Sequence, residues 1–577
     1  MEDDLLKFTN LDRIVRGWQA PFTLSISPES LLLAYFDWVV HVISSPGKNL
    51  ELFQNFLDGS LKYLDFGLHA AINPEYSSGL KSSPQDRRFG SAEWQQYPYN
   101  LLHNAFLSVQ NWWRIATTGI RGLSCHHENV ASFVARQALD MFAPSNFILT
   151  NPQVLKVTRE EQGMNLVRGW FNLAEDLRRI ANREKPVGTE NFQVGKNLGI
   201  TPGKVIYRNR LIELIQYTPS TPMVYAKPVL IVPAWIMKYY ILDLSPSNSL
   251  VKYLVDRGHT VFMISWKNPV EKDRDLGMED YRTMGPMAAL DAVSAVVPDR
   301  KIHALGYCLG GTLLTIAAAT MARDDDHRLQ GLTLLAAQND FTEAGELMLF
   351  IDEDQVSYLE DSMSSKGYLD TAQMAGAFQL LRSNDLIWSR IIQDYLLGQR
   401  RPMNDLMAWN TDATRMPQRM HSEYLRSLFL DNDLAEGRFQ VGGHRIIIGD
   451  IRAPIFLVAA IDDHVAPWGS VYRFQLFCNA EEMTFVLVSG GHNAGIVSEP
   501  GHRGRTYRMS TRKGDEKHID PETWLLTTPL QQGSWWIPWE EWLAKHSLGL
   551  VDPPPMGAPE KGFSPLMEAP GSYVLQD

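Results

Sequence analysis

A single cysteine, Cys308, stands in "KIHALGYCLGGTLLTIAAATMA" (Lys301–Ala322), after a short β-type run and before a long apolar stretch that reads as a buried helix. Gly306 and Gly310 lie two positions before and after it, and Gly311 follows. This spacing suits a nucleophile on a tight strand-to-helix turn, where larger side chains would collide across the bend. A buried cysteine packing in a glycine-permitted helix site, the usual fate of a free thiol, fits the same five residues. Partners elsewhere in the chain have to decide between the two.

Two further strand ends supply them. "PIFLVAA" (Pro454–Ala460) runs into "IDDHVAPW", which sets Asp462 and Asp463 at its end, and "MTFVLVSG" (Met483–Gly490) runs into a glycine-rich loop carrying His492. Nucleophile, then acid, then histidine, each at the carboxyl end of a strand, is the order of an α/β-hydrolase. His464 adjoins the acids, but its place before Val465 and Pro467 reads as structural. A thiolate attacking an acyl thioester yields another thioester, so the acyl group keeps its transfer potential, whereas a serine ester would dissipate some of it. An ordinary thiol, with a pKa of about 8.5, is only a few per cent ionised at neutral pH, so an imidazole has to generate the nucleophile. His492 is the candidate. The N–H of Leu309 and one from the loop after "KPVLIVPA" (Lys227–Ala234), on Trp235 or Ile236, would form the oxyanion hole.

The elements that must hold these groups follow from the hydrophobic pattern. Helical segments such as "LLHNAFLSVQNWWRIATTGI" predominate over residues 1–185, which read as a mainly helical N-terminal domain. Residues 186–577 read as the catalytic domain. "KVIYRNRLIELIQY" is a hairpin turning near Arg208–Arg210, and short runs apolar on both faces then recur at helix-length intervals ("HTVFMISW", "KIHALGY", "GLTLLAA"). That is the pattern of a parallel sheet covered by helices. From about 340 to 450 the alternation lapses into a Leu-, Met- and Trp-rich stretch, an expected cap insertion, and the Pro/Gly-rich C-terminus reads as an irregular surface tail. Leu31–Ile43 ("LLLAYFDWVVHVI") is too short to span a bilayer and carries Asp37 and His41. It reads as an amphipathic helix that packs on the rest of the chain, with docking on a lipid or polymer surface as the alternative.

Bulk properties narrow the class of function. At 577 residues the chain exceeds the size of one ordinary core, and 45% hydrophobic with 21% charged residues is a globular composition. A formal net charge of −12 without a long Lys/Arg run argues against nucleic acid as a partner. Three scattered cysteines, Cys125, Cys308 and Cys478, suit neither a disulfide framework nor a four-ligand zinc site and fit a reducing cytoplasm. The acidic start "MEDDLLKFTN" lacks the character of a secretory signal.

Over most of its length the chain resembles the polyhydroxyalkanoate synthases, which form the polyester of bacterial storage granules. The likeness rests on "GYCLGG", "KYYILDL", "GHTVFMISWKNP", "NDLIWSRIIQDYLLG", "AWNTDAT", "DDHVAPW", "SGGHNAGIV" and "GSWWIPW", with "DRRF" and "NPQVL" upstream. It implies that Cys308 carries the growing acyl chain as a thioester and that His492 is the general base. Asp463 would assist His492 or help activate the incoming 3-hydroxyl. It also implies an (R)-3-hydroxyacyl-CoA substrate, polyester and CoA as products, and no metal or redox cofactor. A homodimer, a mobile cap, a cytoplasmic site on polyester granules, and an N-terminal domain for dimerisation or granule attachment follow from the same likeness. The layout is more similar to the single-subunit short-chain type. Many relatives read Pro-Pro and then Ile-Asn-Lys where this chain has "VPAWIMKYY", so Ala234 and Met237 depart from the pattern in the oxyanion loop. Two rivals share these residues: a thioesterase or depolymerase that passes the acyl group to water, and a granule scaffold that retains the fold without turnover.

Overall fold

Six apolar runs become the parallel centre of an 11-stranded sheet in the computed structural model, which describes residues 2–70, 72–73, 86, 88–371, 373, 387–514 and 516–577. The strands are β1 Gly203–Arg208, β2 Ile212–Tyr217, β3 Val229–Val232, β4 Val261–Trp266, β5 Ile302–Tyr307, β6 Leu329–Leu335, β7 Ile455–Ala460, β8 Glu482–Val488, β9 Thr506–Lys513, β10 Leu530–Gln532 and β11 Met567–Glu568. Their order across the sheet is β10-β9-β8-β7-β6-β5-β3-β4-β2-β1-β11. From β4 to β8 neighbours run parallel, and antiparallel strands close both edges. Every residue of β3, β4, β5 and β7 is buried, as expected where helices cover both faces. The β1–β2 hairpin turns where Asn209 Oδ1 accepts from the amides of Leu211 and Ile212, each at 2.8 Å.

The helices used below are α1 Glu2–Gln19, α2 Pro28–Ile43, α3 Pro46–Ala70, α4 Tyr99–Thr117, α5 Cys125–Met141, α6 Pro152–Glu160, α7 Met164–Ala181, α8 Leu309–Arg323, α9 Glu353–Met363, α10 Asp405–Asn410, α11 Gln418–Tyr424 and α12 Trp536–Lys545. Contacts divide the chain into a sheet unit, Met1–Gln19 with Gly188–Gln373 and Met403–Asp577, and a helical unit, Ala20–Val187 with Met374–Pro402. The "GSWWIPW" motif opens α12, whose Trp539 donates to Thr333 Oγ1 at 3.0 Å beneath the sheet. In the helical unit Arg88 pairs with Asp86 and the buried Asp140 at 2.7 and 2.6 Å beside a core of Phe89, Trp94, Phe106 and Ala143, which accounts for "DRRF".

Four features differ from local sequence patterns. Helix α1 belongs with the sheet, because Arg16 Nη1 pairs with Asp361 Oδ2 on α9 at 2.9 Å, a partner 345 positions away. Of the stretch expected as a cap, residues 372 and 374–386 lie outside the described residues, and 387–402 belong with the helical unit. There the side-chain amides of Asn165 and Asn172 on α7 donate to the carbonyls of Leu396 and Asp394, and Asp176 receives Arg390, Tyr395 and Arg400 at 2.9–3.0 Å. Helix α2 buries Ser30 and Ala34 and hands Trp38 Nε1 to Ala116 O at 2.9 Å, while Leu32, Phe36, Val40 and Ile43 stay 54–74% exposed. Asp37 pairs with His41 and His127, so the polar side of the helix is engaged and an apolar stripe faces out. Finally, the C-terminus is an edge element, with β11 paired to β1 and Leu550–Val551 paired to Val224–Tyr225. The amides of Ser572 and Tyr573 donate to the buried Glu213 carboxylate at 2.8 and 2.9 Å, a demand invisible in the tail's own composition.

Candidate active site

Because β5, β7 and β8 are parallel, the segments leaving their carboxyl ends meet at one sheet edge. Cys308 follows β5 directly with φ 52° and ψ −126°, a conformation that costs a side-chain-bearing residue energy and marks functional bends. Its amide donates to Leu335 O at 2.8 Å, and α8 begins at the next residue. The glycines are required by close approach. A Cβ on Gly306 would lie 2.4 Å from Gly311 Cα, one on Gly310 2.2 Å from Val232 O, and one on Gly311 2.4 Å from the Ala337 Cβ. The turn therefore has the form expected of a nucleophile elbow.

Asp463, and not the exposed Asp462, supplies the carboxylate facing this turn. Its Oδ1 accepts from the amides of Val465 and Ala466 at 2.9 and 2.8 Å, and its Oδ2 lies 2.7 Å from His492 Nδ1. The adjacent His464 is not the ring it holds. Burial disfavours a charge on His492, but attraction to Asp463 and Cys308 and hydrogen bonds to both outweigh it and raise the imidazole well above its ordinary pKa. One ring thus feels both the carboxylate and the sulfur, with Nδ1 on the acid and Nε2 not engaged by it.

Sequence patterns alone did not single out three neighbours. The Tyr307 ring centroid is 5.7 Å from that of His492, and its hydroxyl donates to Asn493 Oδ1 at 2.5 Å. Burial, with the charges of Cys308 and Asp463 nearby, pushes the Tyr307 phenol well above its usual range and keeps it a donor. Burial, and after it the nearness of Cys308, raises the phenol of Tyr424 on α11 well above its usual range. Tyr424 meets Trp235 edge-on at 6.2 Å, giving the site an aromatic wall. The signal for Tyr307 was its place inside "GYCLGG"; Tyr424 carried none.

Leu309 is the first residue of α8, so its N–H is free of an intrahelical acceptor. Trp235 and Ile236 lie in the loop after β3, and among the described residues no acceptor engages the amides of Leu309, Trp235 or Ile236. Ala234 is buried, and Met237 pairs its backbone with Ala413 in an isolated antiparallel bridge. Among the described residues no group of three or more His, Cys, Asp or Glu side chains is placed to hold a metal ion.

Comparison with known proteins accords with this geometry. Residues 85–254 match the model of the poly-beta-hydroxybutyrate polymerase (PhaC) N-terminus, residues 7–48 that of the poly-beta-hydroxybutyrate polymerase N terminal region, and residues 227–499 that of the alpha/beta hydrolase fold. The chain is 40% identical over 499 residues to a poly(3-hydroxyalkanoate) polymerase of Methylorubrum extorquens, covering 86% of this chain and 81% of that protein. It is 37% identical over 574 residues to the poly(3-hydroxyalkanoate) polymerase subunit PhaC of Rhizobium meliloti (98% and 93% covered), and 32% identical over 496 residues to that of Cupriavidus necator (85% and 83%). With relatives of this identity matched over most of their length, and a thiol elbow on an α/β-hydrolase sheet, the chain belongs to the poly(3-hydroxyalkanoate) polymerase family.

Proposed function

We propose that the protein polymerises (R)-3-hydroxyacyl-CoA into polyester through an acyl thioester on Cys308. The observation that carries this reading is the pairing of Asp463 with His492 at 2.7 Å on the sheet edge where Cys308 occupies the strained strand-to-helix turn. The Cys308 thiolate, paired with protonated His492, attacks the thioester carbonyl. The developing oxyanion is received by the N–H of Leu309 and one from the Trp235–Ile236 loop. When the carbon–sulfur bond to CoA breaks, His492 gives its proton to the leaving thiolate, and the acyl group stays on Cys308. In the second half, neutral His492 takes the proton from an incoming 3-hydroxyl, whose oxygen forms the ester bond as Cys308 departs as thiolate. Asp463 holds the ring by Nδ1 throughout and balances the imidazolium charge. No step calls for a metal or redox cofactor.

The partners follow from the same reading. On α3, Leu57, Leu61, Leu64 and Leu68 recur at helical spacing with 43–72% of each residue exposed, and α2 carries an exposed apolar stripe of its own. A surface of this kind supports attachment of the helical unit to the polyester of a cytoplasmic granule, with dimerisation through the same unit as the competing use. Among the described residues no helix is long and apolar enough to cross a membrane.

Incubation with (R)-3-hydroxybutyryl-CoA tests the assignment. CoA release with turbidity and polymer supports it, release with free hydroxyacid supports hydrolysis, and no release supports a scaffold. Cys308→Ala should form no polymer.

A further inference from the structure

The loop that offers Trp235 and Ile236 is laced to residues more than 170 positions away. Thr414, fully buried, donates its hydroxyl to Trp235 O at 2.6 Å and its amide to Ile236 O at 3.1 Å. Trp409 Nε1 donates to Lys238 O at 2.8 Å, the Tyr240 hydroxyl donates to Asp412 Oδ2 at 2.9 Å, and Met237 lies opposite Ala413. The "AWNTDAT" motif is thus a clamp on the stretch between β3 and the tyrosine pair. It sits on the return from the segment between β6 and β7, at the end of α10.

Peptide geometry turns this clamp into a statement about chemistry. The peptide joining Trp235 to Ile236 is trans, so its C=O and N–H point in opposite directions in one rigid plane. A hydroxyl that holds the Trp235 carbonyl therefore aims the Ile236 N–H away from Thr414, where no described residue accepts it. A strong oxyanion donor has this property: an amide held in place and left unpaired until charge develops before it. We propose that Thr414 is a positioning residue for the polymerase reaction, whose side-chain hydroxyl fixes the Ile236 amide as the second oxyanion donor beside Leu309. This chooses between Trp235 and Ile236. It also explains how the loop keeps its shape with Met237 in it: order comes from backbone carbonyls and Thr414, and the Met237 side chain packs against the core.

The inference rests on the polymerase reading and predicts a split between two reactions of the same thiol. Acylation of Cys308 by 3-hydroxybutyryl-CoA passes through an oxyanion, whereas alkylation by iodoacetamide needs the thiolate alone. In the full-length protein, Thr414→Val should slow single-turnover CoA release by about 10- to 100-fold, approaching the loss of one donor. KM should change little, alkylation of Cys308 should stay within about twofold, and Thr414→Ser should restore acylation; these ranges follow from a hydroxyl acting on the oxyanion alone. Thermal unfolding accompanies each variant, and if Thr414→Val loses the wild-type midpoint, Thr414→Ala is read in the same way. Acylation by the folded variant within about threefold of wild type, or acylation and alkylation falling together, overturns the inference while the polymerase reading stands. A wild type that releases no CoA overturns both.

Discussion

Asp463 reaches His492 with one oxygen while the other is tied to two amides of its own loop: Oδ2 lies 2.7 Å from Nδ1, and Oδ1 accepts from Val465 and Ala466. The carboxylate has no freedom to turn away, so the ring it holds keeps Nδ1 on the acid and leaves Nε2 for chemistry.

Asp463→Asn keeps the loop bonds to Oδ1 but offers the ring either a donor or a weaker acceptor. CoA release should fall by about 10²- to 10⁴-fold, the range for mis-set tautomers in comparable triads. Stopped assays of CoA release against pH, run beside thermal unfolding, check this. A variant that retains activity within about threefold would show that His492 is oriented by something else.

Gly310→Ala places a methyl where Val232 O and Pro233 O already stand, at 2.2 and 2.5 Å, and both are backbone atoms that cannot swing aside. The overpacking should cost about 1–3 kcal/mol of stability and displace the elbow, with activity lost further than stability. Urea unfolding and CoA release on one preparation measure both. Glycine at 469, where an added Cβ meets nothing within 4 Å, is the matched control.

Stability should fall as acid is added, and His303 should be one cause. It is buried on β5 with neither ring nitrogen partnered among the described residues, and burial, with the charges of His259, His546 and Lys227, pushes it down to about 3. Burial likewise lowers His421 to about 4. An unfolded histidine titrates near 6.5, so between that pH and about 3 the unfolded chain binds the proton the folded one refuses. The stabilisation is complete above about pH 6.5 and is lost as pH falls towards 3. His303→Leu should flatten the dependence by about one proton, or about 1.4 kcal/mol per pH unit, in denaturant unfolding between pH 7 and 4. An unchanged slope would contradict a neutral buried ring.

Leu61 and Leu68 on α3 are 64% and 72% exposed, so replacing both with glutamate should leave the unfolding midpoint close to wild type. If the α3 face meets polyester, the double variant should lose co-sedimentation with polymer particles while its single-turnover CoA release is unchanged. Retained sedimentation would assign that face to another use, which the concentration dependence of oligomer size would then examine.

The sheet and the edge that gathers Cys308, Asp463 and His492 were legible because their signals are local. Continuously apolar runs mark the buried strands, and Cys308 between Gly306 and Gly310 marks a bend that tolerates no Cβ. Asp463 and His492 were found by chain order and strand ends, although choosing Asp463 over its exposed neighbour Asp462 on residue grounds needed the fold. What stayed hidden depends on distant pairing. No periodicity announces that Thr414 holds Trp235, that Tyr307 donates to Asn493, or that α1 pairs with Asp361. Helix α2 packs on the chain through Ser30, Ala34 and Trp38 as its pattern suggested, but which of its apolar residues stay exposed is set by neighbours that the pattern does not name. The C-terminal edge strand was missed because proline and glycine describe a turn-rich path without naming its neighbours.

The most direct test follows where the acyl group goes. Rapidly quenched full-length protein mixed with one equivalent of (R)-3-hydroxybutyryl-CoA, digested under acid and read by mass spectrometry, should carry one hydroxyacyl group on the peptide containing residue 308, released by hydroxylamine. CoA liberated at the wild-type rate with that peptide unmodified, or the adduct found on another side chain, would contradict covalent catalysis by Cys308.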